Sequence, residues 1–133
     1  MKRNAVVFDL DWTLCQSYPN RPYSYSSEEI VNFAIYDELM KEWYQLWVDI
    51  IILTWRKHNE HYKSTVDWLD NNEIPYDHLI MCKDWQPEEN HIFKKRVLRV
   101  LSQMYEQICM VYDDNPAVWE VCKKLWIPFY PVY

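Results

Sequence analysis

Asp9 and Asp11 lie two residues apart in Phe8-Asp9-Leu10-Asp11-Trp12-Thr13, directly after the apolar run Ala5-Val6-Val7-Phe8. The run reads as a short buried strand whose polar residues begin where it ends. Residues i and i+2 of an extended segment point the same way, so two carboxylates are delivered together to a strand end. Their mutual repulsion is costly unless a cation sits there. Mg²⁺ favours one or two carboxylates, several waters and a substrate phosphate, which makes this a candidate magnesium site. An acidic pair after a strand can also simply cap the next helix.

Three other segments put polar residues at comparable places. Thr54 and Arg56 close the apolar run Val48-Asp49-Ile50-Ile51-Ile52-Leu53, Lys94 and Lys95 fall in a helical stretch, and Asp113-Asp114 follow Ile108-Cys109-Met110-Val111-Tyr112. Each has a plain alternative. Thr54 could cap a helix, the lysines could line a solvated face, and Asp113-Asp114-Asn115-Pro116 has the composition of a turn and helix start. A carboxylate pair, a hydroxyl, a lysine and a second acidic pair, in that order, are together the parts that phosphoryl transfer requires.

The elements that must hold these residues alternate along the chain. Strands are expected at about 4–9, 48–54, 78–82, 107–112 and 128–132, and helices at about 27–46, 58–72, 88–105 and 116–125. Ser26 and Glu29 stand at capping-box spacing before the first helix, Pro87 precedes the third and Pro116 fits the first turn of the fourth. Strands alternating with helices imply βαβ units and a parallel sheet covered on both faces, an α/β fold in one domain spanning 1–133.

Composition narrows the function classes. Half of the 133 residues are apolar, enough for a real core and too many for a disordered chain. No apolar stretch reaches the ~20 residues of a membrane span. Met1-Lys2-Arg3 leads straight into a strand without the apolar region of a signal peptide, and the four cysteines form no C-x-x-C pair. A reducing, cytoplasmic setting is expected. The net charge of −6 argues against tight non-specific binding to long nucleic acids, while leaving room for a local basic patch at a site. His58 and His61, at helical spacing, read as a solvated helix face.

In these motifs the sequence resembles the haloacid dehalogenase (HAD) superfamily of phosphatases and phosphotransferases. The resemblance runs from Val6 to Pro131 and rests on Phe8-Asp9-Leu10-Asp11-Trp12-Thr13, Leu53-Thr54-Trp55-Arg56, Lys94 and Tyr112-Asp113-Asp114. It implies a three-layer Rossmann-like fold and a division of roles. Asp9 would be the nucleophile that forms an aspartyl-phosphate, and Asp11 the general acid and then base. Thr54 and Lys94 would hold the phosphoryl oxygens. Asp9, the backbone carbonyl of Asp11 and Asp113 would ligate Mg²⁺, with Asp114 close behind. Lys94 matches the family lysine better than Lys95.

The spans from Thr13 to Thr54 and from Thr54 to Lys94 are each filled by a helix and a strand, leaving no sizeable cap domain. An uncapped site suits phosphate on a large substrate or under a partner-supplied lid. Within the superfamily the chain resembles the 3′-phosphatase domain of phage-type polynucleotide kinase, through Arg21-Pro22-Tyr23, Thr54-Trp55-Arg56 and Tyr76-Asp77-His78-Leu79-Ile80-Met81. That likeness puts Arg21 and Arg56 near substrate phosphates, although either could form an ordinary surface ion pair. A kinase P-loop is impossible without glycine, so a partner kinase or ligase domain in a separate chain would complete any repair role. Three functions stay open: a phosphatase for nucleic-acid ends or nucleotides, a small-molecule phosphatase, and a folded protein with an impaired site that binds without turnover.

The impaired-site reading comes from composition. The chain has no glycine and eight tryptophans, where average usage predicts roughly nine glycines. Family members often carry glycine at the positions of Trp12, Trp55, Trp47 and Trp126. Either some of these tryptophans stand where the organism's own protein has glycine, through codon reassignment or substitution, or the lineage uses aromatics here, as stacking platforms for single strands.

Overall fold

A computed structural model describes residues 2–16, 30–31, 39–83 and 88–132. In chain order its elements are β1 (Asn4–Phe8), β2 (Cys15–Gln16), β3 (Ile30–Val31), α1 (Lys41–Gln45), β4 (Asp49–Lys57), α2 (His58–Asn71), β5 (His78–Cys82), α3 (Asn90–Met104), β6 (Gln107–Asp113), α4 (Pro116–Lys124) and β7 (Phe129–Pro131). The five longer-range strands form one sheet in the order β5-β4-β1-β6-β7, with every pairing parallel. The fold is the α/β, Rossmann-like one expected.

Both faces of the sheet are buried, which is why its strands read as continuous apolar runs. On one face Val7, Ile51 and Val111 pack with Phe93, Leu98 and Leu101 of α3 and Val118 and Val121 of α4. On the other, Val6, Phe8, Ile50 and Ile52 pack with Met40 and with Trp68 and Leu69 of α2. Successive residues of β1 thus serve opposite cores, as the two-residue period of a strand demands.

Strand order fixes where chemistry can occur. After β1 the chain builds β4 and β5 to one side, then returns to place β6 on the other side of β1. The order reverses at β1, and in open parallel sheets ligands bind beyond the carboxyl ends of the strands at such a point. β1, β4 and β6 end side by side there, carrying the three polar motifs.

Two local features depart from the expected elements. Among the described residues of the helix expected over 27–46, Lys41–Gln45 is α-helical, and Ile30–Val31 instead pairs antiparallel with Cys15–Gln16. The β-branched Ile30-Val31 pair finds a strand partner, and that pairing outweighs an irregular helical pattern. The Ser26–Glu29 box, Pro87 and Arg21 lie outside the described residues. The second departure is at β4, which continues past Thr54 to Lys57. Its register with β5 jumps from Thr54↔Met81 to Lys57↔Cys82, so Trp55 and Arg56 form a bulge. A bulge re-aims side chains at a strand end. Here Arg56 turns inward, fully buried, and Trp55 turns out to solvent.

Helix starts settle two of the plain alternatives. Thr54 does not cap α2: the capping position is Lys57, and the Thr54 hydroxyl accepts the Arg56 N–H at 3.2 Å. Asn115 does cap α4, its side chain accepting the Ala117 N–H at 2.9 Å with Pro116 in the first turn. The cap holds the loop just after Asp113. Asn115→Ala should lower stability by about 1 kcal/mol, read as a fall in the urea midpoint with an unchanged slope.

Candidate active site

Lys94 is the group around which the site is built. α3 carries it beneath the ends of β1 and β6, where its side chain is 1% exposed. Nζ donates to Asp9 Oδ1 at 2.9 Å and to Asp113 Oδ2 at 2.7 Å. Burial alone would push the lysine down, but attraction to the two carboxylates outweighs it and the group sits above its ordinary value. Lys95, one residue on, faces away and is half-buried. The sequence choice between the two lysines thus has a geometric counterpart: Lys94 is the one that reaches the carboxylates.

Further bonds fix the carboxylates. Asp9 N–H donates to the Tyr112 carbonyl at 2.9 Å, continuing the β1–β6 ladder into the site. Thr13 Oγ1 donates to Asp9 Oδ2 at 3.4 Å. Asp113 Oδ1 accepts the Asn115 N–H at 2.9 Å, and its carbonyl accepts the Trp119 indole N–H at 2.7 Å. Asp9, Asp113 and Asp114 bring one carboxylate oxygen each within 4.8 Å of one another.

Charge makes this trio a plausible cation site. With all three carboxylates ionised, one ammonium leaves a deficit of two positive charges. The deficit shows in the proton affinities. Burial, then the Asp9 charge, pushes Asp113 up to about 7 against the opposing pull of Lys94. Burial, with a hydrogen bond and charge from Asp9, raises Asp114 to about 7. A hard divalent cation with oxygen ligands fits both the donor set and the missing charge.

Asp11 belongs to a second ion pair. Arg56 Nη2 reaches Asp11 Oδ1 at 2.7 Å and Nε reaches Oδ2 at 3.1 Å, a two-pronged contact. Its other nitrogen, Nη1, donates to Thr65 Oγ1 at 3.0 Å. The expectation for Arg56 was a substrate phosphate. The β4 bulge folds it inward, where it lines the cleft and its guanidinium braces Asp11. Thr65, a buried threonine on α2, escaped the sequence reading; its only signal is a hydroxyl on an otherwise apolar helix face. Asn90, at the start of α3, was also missed, and it lines the cleft.

The cleft over these groups measures about 320 Å³ and is lined by Asp9, Asp11, Trp12, Trp55, Arg56 and Asp114, among others. Trp12 and Trp55 form its rim, 45% and 42% exposed, and the Trp55 indole donates to the Glu88 carbonyl at 2.8 Å. Thr54 is buried beneath the cleft floor. His58 is exposed and stacks on Tyr62 at 4.6 Å, away from these groups. Among the described residues, no helix is long and apolar enough to cross a membrane.

A parallel α/β sheet with these motifs at its switch point defines a HAD-type phosphatase domain. More narrowly, the family model for the polynucleotide kinase PNKP phosphatase domain matches residues 3–132, and the chain belongs to that family. Several solved structures share its fold. A chain of the Pnkp1/Rnl/Hen1 RNA repair complex aligns with a TM-score of 0.84 and 24% identity, over 98% of this chain and 42% of that one. A chain of a Pnkp1/Rnl/Hen1 complex aligns with a TM-score of 0.84 and 25% identity, over 98% and 46%. This chain therefore spans less than half the length of those relatives. No curated protein matches it.

The raised carboxyls give a pH signature. A carboxyl held above its unfolded value favours the folded state only while protonated. Its contribution is full below the ordinary carboxyl range and is lost as pH rises through the folded value, about 7 for both Asp113 and Asp114. Lys94, raised further above that window, stays charged throughout. Without divalent cation, the urea midpoint should fall between roughly pH 4 and pH 7. Added Mg²⁺ should restore it at the upper end and change little at the lower.

Proposed function

We propose that this domain hydrolyses phosphomonoesters at nucleic-acid 3′ ends, with Mg²⁺ as cofactor and an aspartyl-phosphate on Asp9 as intermediate. The observation that carries the reading is the buried Lys94 ammonium shared by Asp113 and by Asp9, which lines the cleft. It keeps a positive charge beside Asp9, where the phosphorane would develop.

In this reading an Asp9 carboxylate oxygen attacks phosphorus and the ester bond breaks. Asp11 gives its proton to the departing oxygen, then takes one from the water that cleaves the acyl-phosphate, so the enzyme ends as it began. Thr54 and Lys94 hold phosphoryl oxygens. Asp9, Asp113, Asp114 and the backbone carbonyl of Asp11 would hold the Mg²⁺, which when bound offsets charge between carboxylates and phosphate. Arg56 acts through Asp11, fixing the plane of its carboxylate. Arg21 remains proposed as a substrate-phosphate contact.

Membership of the PNKP phosphatase family and the absence of a cap over the described cleft support a macromolecular end over a small metabolite. The length of the relatives and the RNA repair complex to which one of them belongs support a kinase or ligase domain as the working partner. Four cysteines without a disulfide are consistent with a cytoplasmic setting.

The direct test is phosphate release from a 3′-phosphorylated oligonucleotide with Mg²⁺. Asp9→Asn should abolish it, and Asp11→Asn should lower kcat by about 10²–10⁴-fold. Release from mononucleotides but not from the oligonucleotide would move the substrate to small molecules. Arg56→Lys keeps the charge and loses the two-pronged contact. It should lower kcat by about 100-fold through misplacement of Asp11, with KM little changed.

A further inference from the structure

Four described residues have positive φ, and three of them are tryptophans: Trp12 at 65°, Trp47 at 59° and Trp126 at 59°, beside Glu73 at 54°. Left-handed backbone presses Cβ against the following carbonyl, so glycine is the residue that enters it without cost. A bulky aromatic there is an outlier. The chain has eight tryptophans and no glycine.

The fold needs the left-handed turn at each place. Trp126 follows Leu125, the last capping residue of α4. The Trp126 N–H donates to the Lys123 carbonyl at 3.3 Å and the Ile127 N–H to the Cys122 carbonyl at 2.9 Å. Those paired bonds close a helix end whose left-handed residue is usually glycine. Trp47 holds the same position after Leu46, the cap of α1. The Trp12 N–H donates to the Cys15 carbonyl at 2.6 Å, closing the turn that carries Asp9 and Asp11.

The three indoles gain little in return, being 45%, 76% and 93% exposed at 12, 47 and 126. Trp47 has one contact of note, the Lys2 ammonium 4.5 Å from its ring. Other tryptophans are built into the molecule and keep ordinary backbone. Trp68 is 2% exposed, and the Trp43 and Trp119 indoles donate at 2.7 Å to Tyr112 Oη and the Asp113 carbonyl. Among the described residues tryptophan thus occurs in two populations, split by backbone sign and by use of the side chain.

We propose that positions 12, 47 and 126 are glycine in the protein as its own cell makes it, encoded by UGA read there as glycine. UGA differs by one base from the glycine codon GGA, and some codes read UGA as tryptophan. Decoding it so converts each such glycine to tryptophan and leaves UGG tryptophans, such as those at 43, 68 and 119, untouched. Trp55 has ordinary backbone and a bonded indole, so geometry does not assign it. At position 12 the consequence reaches the cleft: glycine removes an indole from the rim beside Asp11 and opens the approach for a phosphate ester. That consequence rests on the phosphatase reading; the residue assignment does not.

Peptide mass spectrometry of the protein from its native cells should find glycine at 12, 47 and 126 and tryptophan at 68 and 119. Tryptophan at the first three positions would overturn the proposal. Independently, the recombinant triple variant Trp12→Gly/Trp47→Gly/Trp126→Gly should melt about 5–15 °C above the tryptophan chain, while Trp68→Gly should melt below it. A triple variant that melts no higher also overturns it. The triple variant should release phosphate faster from a 3′-phosphorylated oligonucleotide, and Asp9→Asn in that background should be silent. Raised melting without any phosphate release would leave the glycine assignment standing and sink the phosphatase reading instead.

Discussion

A lysine ammonium almost wholly removed from water is tolerable only where opposite charge and hydrogen-bond acceptors meet it. Lys94 meets both in Asp9 and Asp113, at 2.9 and 2.7 Å. The dependence runs the other way as well, since the two buried carboxylates take their compensating charge from that ammonium. This three-way contact joins α3 to the ends of β1 and β6. It therefore demands the strand order that sets β6 beside β1, and it demands α3 on the face that covers both. The sheet, the crossover and the apolar layer of Phe93, Leu98 and Leu101 can be understood as what brings that ammonium to that point.

A second buried cation organises the other half of the site. Arg56 is paired with Asp11 and anchored on Thr65 of α2, so β4 and α2 hold Asp11 much as α3 and β6 hold Asp9. Two carboxylates two residues apart in sequence thus receive different partners. One is bound by a point charge that also serves a third carboxylate; the other is gripped in a fixed plane by a planar fork. Such a division is what two chemical roles on neighbouring residues would require. The remaining negative charge collects at Asp113 and Asp114, whose raised proton affinity marks where a divalent cation would sit.

Several parts of this arrangement were legible in the residues. Continuous β-branched runs such as Ile50-Ile51-Ile52 announced central parallel strands, because a strand buried on both faces has no polar period. The Asp9/Asp11, Thr54, Lys94 and Asp113/Asp114 motifs were each visible as polar residues at element ends. The long helix expected over 27–46 was misread at Ile30-Val31, where a strand partner distant in sequence, Cys15-Gln16, decided the conformation. The inward turn of Arg56 onto Asp11 was not legible, because a bulge leaves no mark in composition. Thr65 was missed because one hydroxyl on an apolar helix face looks the same whether it anchors a guanidinium or faces its own backbone.

By itself the sequence determined the fold class, the family and the order of the charged motifs, since hydrophobic period and motif spacing are local and survive in one dimension. Its missing glycines also pointed to tryptophans in unusual places. Only the tertiary structure decided which cation pairs with which carboxylate, because those contacts join residues separated by 19 to 85 positions and depend on strand order and bulge geometry. It also decided which tryptophans are at odds with their backbone. Backbone sign at a helix end or turn is set by how the chain must close there, and side-chain identity alone does not reveal it.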